Sequence, residues 1–127
     1  MIKIAIVEDE IKEQENLLAC LKELQQQEMV SLETQTFSNA SSFLEAYRHN
    51  FDIVFFDIEM DGLNGMDAAK ELRQLDKSVI IIFVTNLAQM AVKGYEVEAL
   101  DFIVKPIEKA TFLLKMNQSQ LEFPIVE

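Results

Sequence analysis

The chain has 127 residues, half of them hydrophobic, a length that fits one domain and leaves no room for a second. Its formal net charge of −11, from 11 lysines and arginines against 22 aspartates and glutamates, argues against nucleic acid or an anionic membrane surface as a direct partner of this segment. A single cysteine, Cys20, excludes an intrachain disulfide framework, the longest apolar runs, such as VIIIFV, fall far short of the roughly 20 residues of a membrane span, and the N-terminus turns acidic at once, so a cytoplasmic protein is expected.

Strand and helix patterns then alternate. Ile2 to Val7 is a short β-branched run, and Ile11 to about Glu28 carries Leu17, Leu18, Leu21 and Leu24 at helical spacing, with Cys20 as a small apolar helix residue. Leu32 to Phe37 alternates as an edge strand does. Ser41 or Ser42 is placed to cap a helix containing Phe43, Leu44 and Tyr47, and His49, beside Asn50 at the end of that helix, is expected to cap carbonyls.

Ile53 to Phe56 reads as a strand buried on both faces, and GLNG turns the chain into a helix with Met66, Ala69, Leu72 and Leu75 inward. Val79 to Val84 is a fourth strand, Ala88 to about Val97 a weaker helix, and Phe102 to Val104 a short fifth strand. Glu108 to about Gln118 is a last helix with Phe112, Leu113 and Met116 on one face. Five strands alternating with five helices imply a doubly wound five-stranded parallel sheet, formed by residues 1–118. Residues 119–127 lose helical periodicity and contain Pro124; they read as a tail, the start of an interdomain linker or a cut end.

In open α/β sheets the ligand site lies beyond the carboxyl ends of the strands. The first strand ends in Glu8 and Asp9, the third in Asp57, the fourth in Thr85 and the fifth in Lys105, followed by Pro106. Crowded carboxylates repel one another unless a divalent cation neutralises them, and hard oxygen ligands favour Mg²⁺. Glu8 and Asp9 by themselves would read as a solvated loop capping the next helix. Their coincidence with Asp57 and Lys105 favours a magnesium site instead.

A carboxylate beside Mg²⁺ can attack a phosphoryl group while the metal and a lysine hold the phosphoryl oxygens. Asp57, at the end of a central strand, is the expected nucleophile, and Glu8 and Asp9 suit metal coordination. Asp52, at the other end of the same strand, is expected on the surface. By themselves, Thr85 reads as a helix cap and Phe102 as a core residue.

At these residues the sequence resembles the receiver domains of two-component response regulators. The likeness rests on VEDE after the first strand, FFDIEMDGLNG around Asp57, FVTN after the fourth strand and ALDFIVKP around Lys105, in order and spacing over roughly residues 2–116. DIEM together with GYEVEALDFIVKP is most similar to the receivers of LytTR-type regulators, whose DNA-binding output domain would lie outside these residues.

The resemblance implies a flavodoxin-like sheet with strand order 2-1-3-4-5. It implies that Asp57 accepts a phosphoryl group from the phosphohistidine of a sensor histidine kinase. Glu8, Asp9, Asp57 and the backbone carbonyl of Glu59 would surround Mg²⁺, and Lys105 would contact the phosphoryl group. Thr85 and Phe102 would be the switch: the hydroxyl moves to a phosphoryl oxygen and the aromatic ring turns into the vacated space. Phe102 has no phenol hydroxyl, so its gain from turning inward is packing alone.

The surface from Met90 to Phe102 would be the output, with a homodimer through the fourth and fifth helices and the last strand, and Lys105-Pro106 resembles the family's cis peptide. Two departures stand out. Asp61 replaces a common proline, which loosens the loop and adds negative charge; Asn86 replaces a small residue, which narrows access to the phosphoryl group.

Two other classes share parts of this pattern. A Mg²⁺-dependent phosphohydrolase also uses a strand-end aspartate, but DIE matches its two-aspartate motif poorly and no cap segment is evident. A flavodoxin-like carrier needs a loop rich in glycine, serine or threonine after the first strand, where this chain has Glu8-Asp9-Glu10.

Overall fold

The computed structural model describes residues 1–60 and 62–118. The expected tail at 119–127 and the departure at Asp61 lie outside the described residues. Five parallel strands, β1 (Ile2–Val7), β2 (Leu32–Phe37), β3 (Ile53–Phe56), β4 (Ile80–Thr85) and β5 (Asp101–Val104), form one sheet in the order β2-β1-β3-β4-β5. The helices are α1 (Ile11–Glu28), α2 (Ala40–Ala46), α3 (Gly65–Leu75) and α4 (Lys109–Gln118), with a 3-10 segment at Ala88–Val97. Among the described residues, no helix is long and apolar enough to cross a membrane.

The pleat sends alternate residues of each central strand into two separate cores. Ala5, Val7, Val54, Phe56, Ile81 and Phe83 face a core closed by Phe43 of α2 and by Met66, Ala69 and Leu72 of α3. Ile4, Ile6, Ile53, Phe55, Ile82 and Val84 face a second core closed by Leu17, Cys20, Leu21 and Leu24 of α1 and by Phe112 and Met116 of α4. This two-sided burial is why β3 reads as an unbroken apolar run. Five phenylalanines, Phe43, Phe55, Phe56, Phe83 and Phe112, are among the largest fully buried side chains, each stabilising the fold by roughly 1.5–3 kcal/mol.

Three local expectations are corrected. The cap of α2 is Asn39, whose extended backbone lets its side chain accept from the Ser42 amide at 2.8 Å; Ser41 and Ser42 lie inside the helix and Tyr47 just past it. Leu75, the last residue of α3, is exposed, because the apolar stripe runs one turn beyond the cover of the core. The weaker helix expected from Ala88 to about Val97 is present, in 3-10 form. Gly94 and two β-branched valines lower its α-helical propensity.

His49, at φ 56°, does not cap carbonyls; its Nδ1 lies 3.2 Å from Asp76 Oδ2. Asp76 is the hub of the sheet's amino end. It accepts from the Tyr47 hydroxyl at 2.6 Å, the Ser78 amide at 2.9 Å, the Ser78 hydroxyl at 3.0 Å and the Val79 amide at 3.1 Å.

Close by, Arg73 ties three chain segments together. Its guanidinium donates to the carbonyls of Val79 at 2.7 Å, Val97 at 2.8 Å, and Asp76 and Glu98 at 3.3 Å. Asp52 is on the surface as expected, and its carboxylate accepts from the Lys3 amide at 2.8 Å.

The Tyr47 hydroxyl, with the other donors, holds the Asp76 carboxyl well below the usual carboxylate range. A carboxyl with a lowered native pKa stabilises the fold above its ordinary pKa, and that contribution drains away as pH falls toward the native value. Urea unfolding of Asp76→Ala near neutral pH should therefore show a loss of about 2 kcal/mol, because the buried Tyr47 hydroxyl loses its acceptor. Below about pH 4 the gap between wild type and variant should narrow.

Candidate functional site

Glu8, Asp57, Thr85 and Lys105 are the buried polar and charged residues at the carboxyl edge of the sheet, with exposures of 5%, 5%, 0% and 8%. Each is placed by a strand end: Glu8 follows β1, Asp57 follows β3, Thr85 closes β4 and Lys105 follows β5. Backbone bonds fix these ends to one another. The Glu8 amide donates to Phe37, the Asp57 amide to Val7 and the Lys105 amide to Thr85, at 2.9–3.0 Å.

Lys105 Nζ donates to Glu8 Oε1 at 2.5 Å and to Asp57 Oδ2 at 3.0 Å. The second oxygen of each carboxylate takes a backbone amide: Glu8 Oε2 accepts from Glu10 and Asp57 Oδ1 from Glu59, both at 3.2 Å. Asp9 is more open to solvent, and a carboxylate oxygen from each of Glu8, Asp9 and Asp57 lies within 4.8 Å of the others.

Burial pushes the Glu8 carboxyl up to about 7, with the Asp57 charge adding to it, against the hydrogen bond from Lys105. For Lys105, burial works to lower its pKa, but the two carboxylates outweigh it and hold the ammonium above the ordinary lysine range. The three carboxylates outnumber the one ammonium, which bonds Glu8 and Asp57. That excess of negative charge, presented as hard oxygen donors with one acid open to water, fits a hydrated divalent cation such as Mg²⁺.

The structure thus brings together four of the residues expected from sequence: Glu8, Asp9, Asp57 and Lys105. Thr85 is one strand away from Asp57, and its Oγ1 accepts from the Leu87 amide at 3.2 Å, close to the cap expected of it in isolation. Phe102 is half-buried beside Phe83, with ring centroids 6.0 Å apart. The Lys105-Pro106 peptide is cis. Asn86 is exposed.

Two supporting residues went unmarked in the sequence. Gln14 donates from Nε2 to the Glu8 carbonyl at 2.6 Å, holding the β1–α1 turn; nothing local distinguishes it from a surface glutamine. Gly65 opens α3 directly against the end of β3, where a Cβ would sit 1.9 Å from the Asp57 carbonyl oxygen. The GLNG turn signal marked that region without revealing the contact.

The family model for the response regulator receiver domain matches residues 4–117. The chain belongs to this family. Its similarity to the sensory transduction protein LytT of Oceanobacillus iheyensis is 35% identity over 120 residues, covering 92% of this chain and 47% of LytT. With the transcriptional regulatory protein YpdB of Escherichia coli (strain K12) it shares 34% over 110 residues, covering 86% of this chain and 43% of YpdB. These relatives agree with the likeness to LytTR-type receivers read from DIEM and GYEVEALDFIVKP.

The chain spans about half the length of the curated relatives it matches. Among solved structures, response regulator protein TrrA from Thermotoga maritima, in complex with Mg(2+)-BeF, superposes with a TM-score of 0.72 at 29% identity. The match covers 94% of this chain and 99% of that one.

Receiver domains are signalling modules that sensor histidine kinases phosphorylate, and they generally bind Mg²⁺ at an acidic pocket such as the one formed here by Glu8, Asp9 and Asp57. The phosphohydrolase alternative is not favoured. Because Gly65 abuts the Asp57 carbonyl, Gly65→Ala forces α3 and the receiver's acidic edge apart. It should cost about 2 kcal/mol in urea unfolding and shift the amide resonances of Asp57, Ile58 and Glu59; an unchanged spectrum would mean that α3 yields instead.

Proposed function

We propose that Asp57 is the phosphoacceptor of this receiver. The observation that carries the reading is its buried carboxylate at the end of the central strand β3, with Lys105 on Oδ2 and, among the described residues, only the Glu59 amide on Oδ1. An Asp57 oxygen attacks the phosphorus of a kinase phosphohistidine in line; the P–O bond forms as the P–N bond breaks, and the bonding pair returns to the imidazole nitrogen. Lys105 turns its ammonium from the Glu8–Asp57 pair toward a phosphoryl oxygen. Glu8, Asp9, Asp57 and the backbone carbonyl of Glu59 are the ligands for Mg²⁺, which when bound supplies positive charge against the phosphoryl oxygens.

Thr85 and Phe102 form the switch in this reading. The Thr85 Oγ1 accepts from the Leu87 amide, which leaves its own O–H to donate to a phosphoryl oxygen. A rotation toward that oxygen loosens the entry to the 3-10 segment, and the half-buried Phe102 ring can turn further inward. Phosphorylation adds about 1.5 to 2 negative charges, and the response appears on the face made by the 3-10 segment, β5 and α4. Leu100, Val104 and Leu114 are exposed there, an apolar set suited to a second copy of the chain.

Residues 1–118 form the receiver in this reading and 119–127 begin an interdomain linker to a DNA-binding output domain of the full-length protein, which acts in the cytoplasm. The greater length of LytT and YpdB supports that arrangement.

Incubation with acetyl phosphate and Mg²⁺ should give acid-labile covalent phosphate on the wild type and none on Asp57→Asn. Equal uptake by the variant would overturn the assignment of Asp57. Steady turnover of a generic phosphate ester would revive the hydrolase reading.

A further inference from the structure

Glu13 lies in the first turn of α1, and its Oε2 is buried with no hydrogen-bond partner among the described residues. No other buried side-chain nitrogen or oxygen among those residues stands in this position. With Glu8 and Asp57 it lines a cavity of about 10 Å³ whose remaining wall, including Phe55, Val84 and Ile107, is apolar. A carboxylate oxygen taken out of water without a donor is unfavourable, so such an atom persists where something other than the chain supplies the donor.

The nearby ammonium of Lys105 is committed to Glu8 and Asp57. Glu13 is also absent from the group of carboxylates lying within 4.8 Å of one another, so it does not share their direct ligand position. The cavity is about the size of a single water molecule's probe sphere. Mg²⁺ dehydrates reluctantly and keeps several waters, whose hydrogens point outward and need acceptors.

We infer that Glu13 is an outer-sphere carboxylate of the magnesium site, accepting through Oε2 a hydrogen bond from a water bound to the cation. The inference rests on the Mg²⁺ assignment proposed above. It makes Glu13 a positioning residue: it orients the hydration shell, and thereby the cation, without touching the metal. Ligand-orienting partners of this kind typically change metal affinity by about 10- to 100-fold.

The test is a Mg²⁺ titration of wild type, Glu13→Gln and Glu13→Ala, followed through the amide resonances of Glu8, Asp9 and Asp57, with the metal-free spectrum and melting curve as a check on folding. Glu15→Gln, which removes the same charge from an exposed residue of the same helix turn, controls for long-range electrostatics. About tenfold weaker binding by the Glu13 variants, with Glu15→Gln near wild type, is the expected result. Unchanged affinity in both Glu13 variants, or an equal loss in Glu15→Gln, would overturn the role of Glu13. A wild type that binds no Mg²⁺ would instead overturn the metal assignment on which it rests.

Discussion

The ammonium of Lys105, buried between the carboxylates of Glu8 and Asp57, is the constraint around which this receiver is arranged. Two carboxylates side by side in a protein interior are unfavourable, and one ammonium can offset only part of their repulsion. The sheet makes the arrangement possible by burying nothing but hydrocarbon below it: Ile, Val, Ala and Phe line β1, β3 and β4 on both faces. Lys105 follows β5, so it has to reach past β4 to meet Asp57. Thr85 therefore ends up beside the path that the lysine takes. Ammonium, hydroxyl and aspartate are neighbours because the strand order makes them so.

The opposite edge of the sheet shows the contrasting use of a carboxylate. Asp76 carries its charge among a hydroxyl, amides and an imidazole, so ionisation is favoured there. Glu8 is pushed toward its protonated form by burial. One acid fastens the loops that close the base; the other is held in a state that an incoming cation would relieve. Arg73 belongs to the fastening end, since all of its acceptors are carbonyls at the ends of α3, the start of β4 and the exit of the 3-10 segment.

Much of this was legible in the sequence because it depends on local pattern. Runs such as IVFF and IIIFV identify central strands through composition alone, and the acids, hydroxyl and lysine that follow them mark the edge where ligands gather. The errors came where a neighbour far along the chain decides the outcome. Local spacing cannot show that Asp76 will reach His49, 27 residues earlier, or that α3 ends in the open at Leu75. Asn39 was passed over for the serines just after it, since all of them are good caps and only the backbone's entry angle selects among them. Gln14, Glu13 and Gly65 acquire their significance only when β1, β3 and the helices after them are in contact.

Glu8 and Lys105 are separated by 97 residues. The ion pair that holds the acidic edge together thus joins the first strand to the segment after the last one. β1 and β3, which carry the two carboxylates, both precede the lysine in the chain by dozens of residues. The buried charge cluster is therefore complete only when the segment after β5 docks beside β4, because its one ammonium comes from that segment. The charge balance of the acidic edge and the closing of the sheet are thus one structural event.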